Sequence, residues 1–165
     1  MKLRDLILSA LFMALVAVVT LVVNIPIPGT KGYLNASEVA IFLSVLVLKD
    51  KRAILAAGLG AALADLLLGY TFYAPATLVA KGLEAGLALF LLERTSLPKL
   101  LPLGAGALLM ALTYFLYEWG ILYRDLAVAS LGLVPNLTQG FFGLAVALVI
   151  YPLLDRALDL NHKNL

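Results

Sequence analysis

The chain contains apolar runs long enough to cross a lipid bilayer, and this feature constrains its fold more than any other. Of its 165 residues, 63% are hydrophobic and 13% are charged, and the mean hydropathy is +1.03. Soluble domains are about 45–50% apolar and about 25% charged, which excludes a water-soluble domain, a disordered chain and a nucleic-acid-binding domain. The absence of cysteine excludes a disulfide-stabilised secreted module. The sequence predicts an integral membrane protein, and its continuous rather than alternating apolar runs favour helices.

Charged residues, glycines and prolines divide the apolar sequence into six predicted spans. A crossing needs about 20 mostly apolar residues, and the second and third segments are shorter than that. The predicted spans are 6–24, 36–48, 53–68, 74–93, 100–119 and 134–154. The predicted fold is an all-α membrane protein, a bundle of six transmembrane helices in a single domain that covers residues 1–165.

Basic residues are unevenly distributed between the segments that connect these spans. With a cytoplasmic N-terminus, nine of them fall on the inner side: Lys2, Arg4, Lys49, Lys51, Arg52, Arg94, Lys99, Arg156 and Lys163. Only Lys31 and Arg124 fall on the outer side. Because cytoplasmic loops are enriched in Lys and Arg, both termini are predicted to be cytoplasmic. The first span is long and lacks a small-residue cleavage site, so we interpret it as a retained helix rather than a signal peptide.

Seven polar or charged residues fall, in this topology, in the outer half of the bilayer. They are Glu38, Asp65, Lys81, Glu84, Glu118, Asn136 and Gln139. Such residues are costly in a membrane and usually face protein or water rather than lipid. The inner halves of the spans contain almost only Leu, Ala, Val, Gly and Phe. A channel or a midplane transporter needs a polar path to both sides, so this pattern instead predicts an outward-facing binding site above an apolar floor.

Aromatic residues gather on the same predicted side, and some share a helix face with the polar residues. Tyr114 and Glu118 are four residues apart, and Asn136 and Gln139 are three apart. Rings beside amide and carboxylate groups suit a small aromatic heterocycle, although the aromatic residues alone also fit an interfacial belt. Four acids against one lysine argue against a phosphorylated or strongly anionic ligand.

The polar groups also have structural interpretations, which stay open at this point. Lys81 can neutralise Glu84 three residues away, or it can pair with Asp65 of the neighbouring span. Asn35, followed by Ser37 and Glu38, also fits the start of a helix. The sequence contains no Ser/His/Asp set, metal-ligand cluster or phosphate-binding glycine loop, so we expect no catalysis, metal or cofactor.

Small residues recur at intervals of four on three of the spans. Ala10 and Ala14 form an Ala-x-x-x-Ala step in the inner part of the first span. Such steps let helices approach closely, and on the third and fourth spans we interpret them as internal packing. On the first span, the step predicts a groove that accepts a helix of another protein.

Five stretches, in this order and spacing, carry a resemblance to a known family. They are Gly32–Glu38, Ala62–Tyr70, Tyr73–Thr77 leading to Lys81-Gly82, Tyr114–Glu118 and Val134–Gly140. Over nearly its whole length the chain resembles the substrate-binding S components of energy-coupling factor (ECF) vitamin transporters. Within that family it is most similar to the branch of the riboflavin or hydroxymethylpyrimidine/pyridoxine type.

The resemblance implies six helices with both termini cytoplasmic, in the cytoplasmic membrane of a prokaryote. It implies a ligand pocket near the outer surface, covered by the loops after the first and third helices. Ala10 and Ala14 match the alanine motif with which the family docks its transmembrane T component, and two cytoplasmic ATPase subunits complete the complex. The S component of this family is thought to topple in the membrane and carry its ligand inward.

Taken together, residues and resemblance predict an S component without catalytic activity that captures a small aromatic vitamin or precursor. Pyridoxine-like or hydroxymethylpyrimidine-like ligands are favoured, followed by riboflavin. Some of the predicted binding residues supply polar contacts and others supply rings that stack on the ligand or cover it: Asn35, Glu38, Asp65, Tyr73, Lys81, Glu84, Tyr114, Glu118, Trp119, Asn136 and Gln139. Two other functions stay open, a structural or assembly subunit and a small membrane-embedded enzyme. The expected partners are the vitamin, the T component, the ATPases and the bilayer, and not nucleic acid.

Overall fold

The computed structural model describes residues 3–158, which form six α-helices and a short β-hairpin. The helices, α1 to α6, are Leu3–Val22, Ser37–Leu48, Arg52–Leu68, Ala74–Arg94, Leu100–Tyr117 and Leu126–Ala157. The hairpin pairs β1 (Ile25–Pro26) with antiparallel β2 (Tyr33–Leu34), and a π-helical turn (Glu118–Leu122) continues α5. The prediction of a helical bundle is confirmed. Lys2 and Lys163, which entered the prediction of orientation, lie outside the described residues.

The short helix α2 occupies the centre of the bundle. Every residue of α2 except Val39 is buried, and the helix packs against α1, α3, α4 and α6. Its sequence from Val39 to Val47 is apolar on all sides apart from Ser44, as expected for a helix surrounded by protein. At 12 residues α2 is only about 18 Å long, so its neighbours and not lipid cover most of its surface.

Four helical segments are long and apolar enough to cross a membrane. They are α1, α4, α5 together with the π-helical turn, and α6. Helix α3 has 17 residues and lies between α1 and α4. The length and composition of these four segments are those of a multi-pass membrane protein. That α2 and α3 also cross the membrane remains a prediction.

Side-chain contacts bring one end of several helices together. An Arg4 guanidinium nitrogen donates to the Leu158 carbonyl oxygen at 2.9 Å, and Arg52 lies 3.7 Å from Asp5. The Lys99 ammonium lies 5.3 Å from the centroid of the Tyr151 ring. The starts of α1, α3 and α5 and the end of α6 therefore share one end of the bundle, and this end carries the basic residues predicted to be cytoplasmic.

The last helix begins earlier than the sequence predicted. Helix α6 starts at Leu126 rather than near 134, because the Asp125 carboxylate accepts hydrogen bonds from the backbone N–H groups of Ala127 and Val128 at 2.8 and 3.1 Å. Pro135, which suggested a helix start, lies inside α6. Proline inside a helix loses one backbone hydrogen bond, which membrane helices tolerate when neighbours satisfy the freed group. The β-hairpin and the π-helical turn were also absent from the prediction.

Helices α1 and α3 approach closely at Gly60, which gives a test of the packing. The Cβ atom added by Gly60→Ala would lie 2.6 Å from the Met13 carbonyl oxygen, so we expect a loss of about 1–3 kcal/mol and a lower Tm in detergent. Gly86→Ala is the matched control, because its Cβ atom would meet only Ile54 side-chain atoms, the nearest at 3.6 Å. An unchanged Tm for Gly60→Ala would contradict the close contact of the two helices.

Candidate ligand-binding site

A small cavity lies at the opposite end of the bundle, where α1, α3 and α5 end and α2 and α4 begin. Its volume is about 30 Å³, which is room for about one or two water molecules. The hairpin and the residues around it form one wall, and helices form the others. The lining residues are Thr20, Ile27, Gly32, Tyr33, Asn35, Ala61, Asp65, Tyr73, Thr77, Lys81, Tyr114, Glu118, Asn136 and Gln139.

An ionic cluster is buried beside this cavity. The Lys81 ammonium donates to Glu38 Oε1, and Lys81 Nζ lies 3.9 Å from Glu84 Oε2. The exposed fractions of Glu38, Lys81 and Glu84 are 0%, 1% and 0%. The sequence left open whether Lys81 pairs with Glu84 or with Asp65. The structure shows Glu84 as a more distant partner, and the direct partner of Lys81 is Glu38 of α2. The cluster has one more carboxylate than it has cations.

Gln139 connects the ionic cluster with the segment that enters α2. Its amide Nε2 donates to Glu38, and its Oε1 accepts from the Asn35 backbone N–H at 2.7 Å. The Asn35 side-chain Oδ1 accepts from the Ser37 backbone N–H at 2.9 Å. Asn35 therefore has both of the roles considered for it, since it supports the start of α2 and also lines the cavity.

Two phenols meet polar groups on the α3 and α4 side of the cavity. The Tyr33 hydroxyl donates to Asp65 Oδ1, and the Tyr114 hydroxyl donates to Thr77 Oγ1 at 2.9 Å. Burial first, and then the Asp65 carboxylate, raise the pKa of Tyr33 well above its ordinary value, so this phenol stays a donor. The Tyr114 ring also lies 5.5 Å from the Lys81 ammonium.

A chain of hydrogen bonds crosses the mouth of the cavity. The Tyr73 hydroxyl donates to Glu118 Oε1 at 2.7 Å and lies 3.2 Å from the Tyr123 hydroxyl. The Tyr123 hydroxyl accepts from the Lys31 backbone N–H at 2.6 Å, in the turn between β1 and β2. We call this chain the tyrosine latch: Lys31, Tyr123, Tyr73 and Glu118. It ties the hairpin to the end of α5 across the cavity.

The structure brings most of the predicted site residues together. Eight of them line the cavity: Asn35, Asp65, Tyr73, Lys81, Tyr114, Glu118, Asn136 and Gln139. Glu38 and Glu84 do not line it but contact Lys81 from behind. Trp119 is 46% exposed, and its ring stacks on Phe115 at a centroid distance of 6.3 Å, away from the cavity.

Sequence reasoning did not select Thr20, Thr77, Tyr33 or Tyr123 as site residues. Thr77 lies four residues before Lys81, so the helical period places both on one face of α4, and this spacing was available in the sequence. Tyr33 and Tyr123 belong to the hairpin and to the segment after α5, where no helical period relates them to the other residues. Their positions depend on tertiary contacts alone.

Three polar groups at the cavity have capacity for a ligand. Asn136 is 7% exposed, and its side-chain amide makes no hydrogen bond within the described residues 3–158. Glu118 Oε2 and Asp65 Oδ2 are buried and have no hydrogen-bond partner within the same range. Buried polar groups are normally paired, so a ligand with both donor and acceptor atoms would complete this site. In the described part of the chain, no group of three His, Cys, Asp or Glu side chains is placed to hold a metal ion.

The predicted docking residues lie elsewhere. Ala10 and Ala14 are exposed on the outer face of α1, between the exposed side chains of Ile7 and Val18. Small residues at this spacing on an exposed helix face let another helix approach closely.

Comparison with known proteins agrees with this construction. The family model for the ECF-type riboflavin transporter S component matches residues 1–156. An uncharacterized protein in the gap 3′ region of Pyrococcus woesei is 44% identical over 69 residues, which are 42% of this chain and 46% of that protein. The chain thus matches less than half the length of that relative. Thiamine precursor transporter HmpT of Lactococcus lactis subsp. cremoris (strain MG1363) is 29% identical over 164 residues, 97% of this chain and 93% of HmpT.

The ionic cluster predicts that replacing Lys81 lowers the unfolding free energy far more than replacing an exposed lysine. Lys81→Met leaves Glu38 and Glu84 without their cation, so we expect a loss of about 3–5 kcal/mol in unfolding free energy. Lys81→Met/Glu38→Gln removes one of the two carboxylates as well and should recover part of that loss. The control Lys31→Met replaces an exposed lysine and should change stability by less than about 1 kcal/mol. Equal unfolding free energies for Lys81→Met and the parent protein would show that the cluster does not stabilise the fold.

Proposed function

The chain belongs to the family of S components of ECF-type riboflavin transporters, and we propose that it captures a small heteroaromatic vitamin or precursor in the cavity at the hairpin end. The family is one of transporter subunits and not of enzymes. The observation that carries the proposal is the convergence of polar and aromatic side chains from five helices and the hairpin on a single cavity.

The charges at the site favour a neutral or cationic ligand. Glu38, Asp65, Glu84 and Glu118 are buried near the cavity with Lys81 as the cation among them. A phosphorylated ligand would meet this excess of carboxylates and would be repelled. Ring N–H, amino or hydroxyl groups would find acceptors in Glu118 Oε2 and the Asn136 amide oxygen, and ring nitrogens would find a donor in the Asn136 amide N–H.

The size and the ring content of the cavity favour a single six-membered heterocycle. A volume of about 30 Å³ is less than one such ring needs, so the cavity must widen to hold one. A pyrimidine or pyridine requires less expansion than the three-ring system of riboflavin. The flanking rings of Tyr73 and Tyr114 supply flat apolar surfaces for it. The similarity to HmpT, a thiamine precursor transporter, supports a ligand of this size.

Delivery across the membrane is proposed to use the partners of the family. The exposed face of α1 at Ala10 and Ala14 would receive a helix of the T component, and two cytoplasmic ATPases would drive the cycle. In the cytoplasmic membrane of a prokaryote, the cavity would face outward and the basic end of the bundle, with both termini, would face the cytoplasm. The region between the two ends is apolar, so the whole S component would have to turn for the ligand to reach the inside.

Ligand capture can be tested by thermal stabilisation of the purified protein with a pyrimidine precursor, a pyridine vitamin and riboflavin. A ligand at 100 times its Kd adds about 2.7 kcal/mol to the unfolding free energy, so a clear rise in Tm is expected. Asn136→Leu keeps the side-chain volume but removes the amide at the cavity, and should lower affinity at least about tenfold. Trp119→Phe, which changes an exposed ring, should retain parental affinity. Absence of a shift with all three compounds would favour a structural subunit.

The tyrosine latch predicts a change in ligand exchange rate. Tyr123→Phe removes the hydroxyl that bonds Lys31 and Tyr73, a loss of about 1 kcal/mol, so the dissociation rate should rise about fivefold. Tyr70→Phe is the matched control, since the Tyr70 hydroxyl makes no hydrogen bond within the described residues 3–158. Stopped-flow measurement of ligand release compares the two variants. Equal rates for both would exclude the latch as a barrier to release.

A further inference from the structure

A second cavity lies at the basic end of the bundle, and the proposed capture of a vitamin does not use it. Its volume is about 320 Å³. The walls are apolar and are formed by Leu46 of α2, Leu89 and Leu92 of α4 and the ring of Tyr151 of α6. Lys49, Lys99 and Glu93 stand at its rim. We call it the basal cavity.

The two lysines of the basal cavity lack a carboxylate partner. Neither Lys49 nor Lys99 forms an ion pair with an acid within residues 3–158. Arg52, at the same end, differs from them because it contacts both Asp50 and Asp5. The rim therefore has two cations against the single carboxylate of Glu93, and it attracts an anion.

The backbone at Lys49 and the side-chain contact of Lys99 add to this description. Lys49 follows α2 in the left-handed conformation, with φ +54°, and its N–H donates to the Val45 carbonyl oxygen at 3.2 Å. Glycine or asparagine is the usual residue in this conformation, so backbone geometry does not account for a lysine here. The Lys99 ammonium lies over the Tyr151 ring at 5.3 Å, which places its charge beside the cavity wall.

We propose that the basal cavity binds the phosphate headgroup of an anionic phospholipid, with Lys49 and Lys99 as its cationic contacts. The position fits, because the helix ends at this side of the bundle lie where headgroups meet water, and basic pockets between membrane helices bind such headgroups. The volume and the apolar walls favour a lipid over inorganic phosphate. A phosphate ion alone would fill only part of the space and would gain nothing from Leu46, Leu89 and Leu92, whereas a glycerol ester and the start of an acyl chain would pack against them.

The proposal is tested on the purified full-length protein in a non-ionic detergent, with phosphatidylglycerol and phosphatidylcholine as probes. Phosphatidylglycerol should raise the Tm and give a one-to-one adduct in native mass spectrometry, and phosphatidylcholine should do neither. Lys49→Gln/Lys99→Gln should weaken phosphatidylglycerol binding at least about tenfold. The control Lys51→Gln/Arg156→Gln removes the same charge from two residues at the same end that do not line the basal cavity, and should keep affinity within about twofold.

Two further experiments distinguish binding in the basal cavity from general electrostatic attraction. Leu92→Trp fills the cavity while both lysines stay, so it should also weaken phosphatidylglycerol binding. Inorganic phosphate at the same concentration should not change the Tm. Equal losses in the control double variant, or equal stabilisation by inorganic phosphate, would overturn the proposal. Gel filtration of each variant establishes that the fold is intact, and Lys49→Gln/Lys99→Gln changes no buried residue.

Discussion

Lys81 can be buried in this fold only because Glu38 and Glu84 are buried with it. A lone ammonium or carboxylate in a low-dielectric interior is far too costly to keep its charge, so each member of the cluster depends on the position of the others. Glu38 is in the first turn of α2 and Lys81 is about two turns into α4, and Gln139 adds a bond from α6. The cluster therefore fixes three helices relative to one another. It also explains why α2, with a carboxylate at its start, lies inside the bundle rather than against lipid.

Charged and aromatic residues are distributed unequally between the two ends of the bundle. Acidic and aromatic side chains surround the cavity at one end, basic side chains occupy the other, and the buried residues between them are mostly Ala, Leu, Ile and Val. In the described part of the chain, no series of polar side chains joins the two ends. For the proposed ligand at the hairpin end, transport would therefore require movement of the protein itself. This accounts for the dependence of such a subunit on partners that supply both a surface and energy.

The sequence predicted the helical bundle and the grouping of most of the polar residues at one end of it, because both follow from local rules. Continuous apolar runs mark helices in a membrane, and the charge of the connecting segments orders them, so Asp65 and Lys81 were expected at the same end although they belong to different helices. The start of α6 was missed because Pro135 is a stronger local signal than the cap at Asp125. Trp119 was grouped with the site by its position in the chain, yet Glu118 is buried and Trp119 is 46% exposed, because successive residues of a helix point in different directions. Tyr33 and Tyr123 depend on a hairpin of two residue pairs, which leaves almost no pattern in the sequence.

The small volume of the cavity has a physical reason in the bonds that hold the hairpin. At its base, the Asn35 N–H is bound by Gln139, which also donates to Glu38. At its tip, the Lys31 N–H is bound by Tyr123, which contacts Tyr73. Both attachments pass through side chains that line the cavity or touch those that do, so widening of the cavity for a ligand would disturb the bonds that close the hairpin. In the proposed capture these bonds would open for entry and form again over the bound ligand, so they would govern the rates of binding and release.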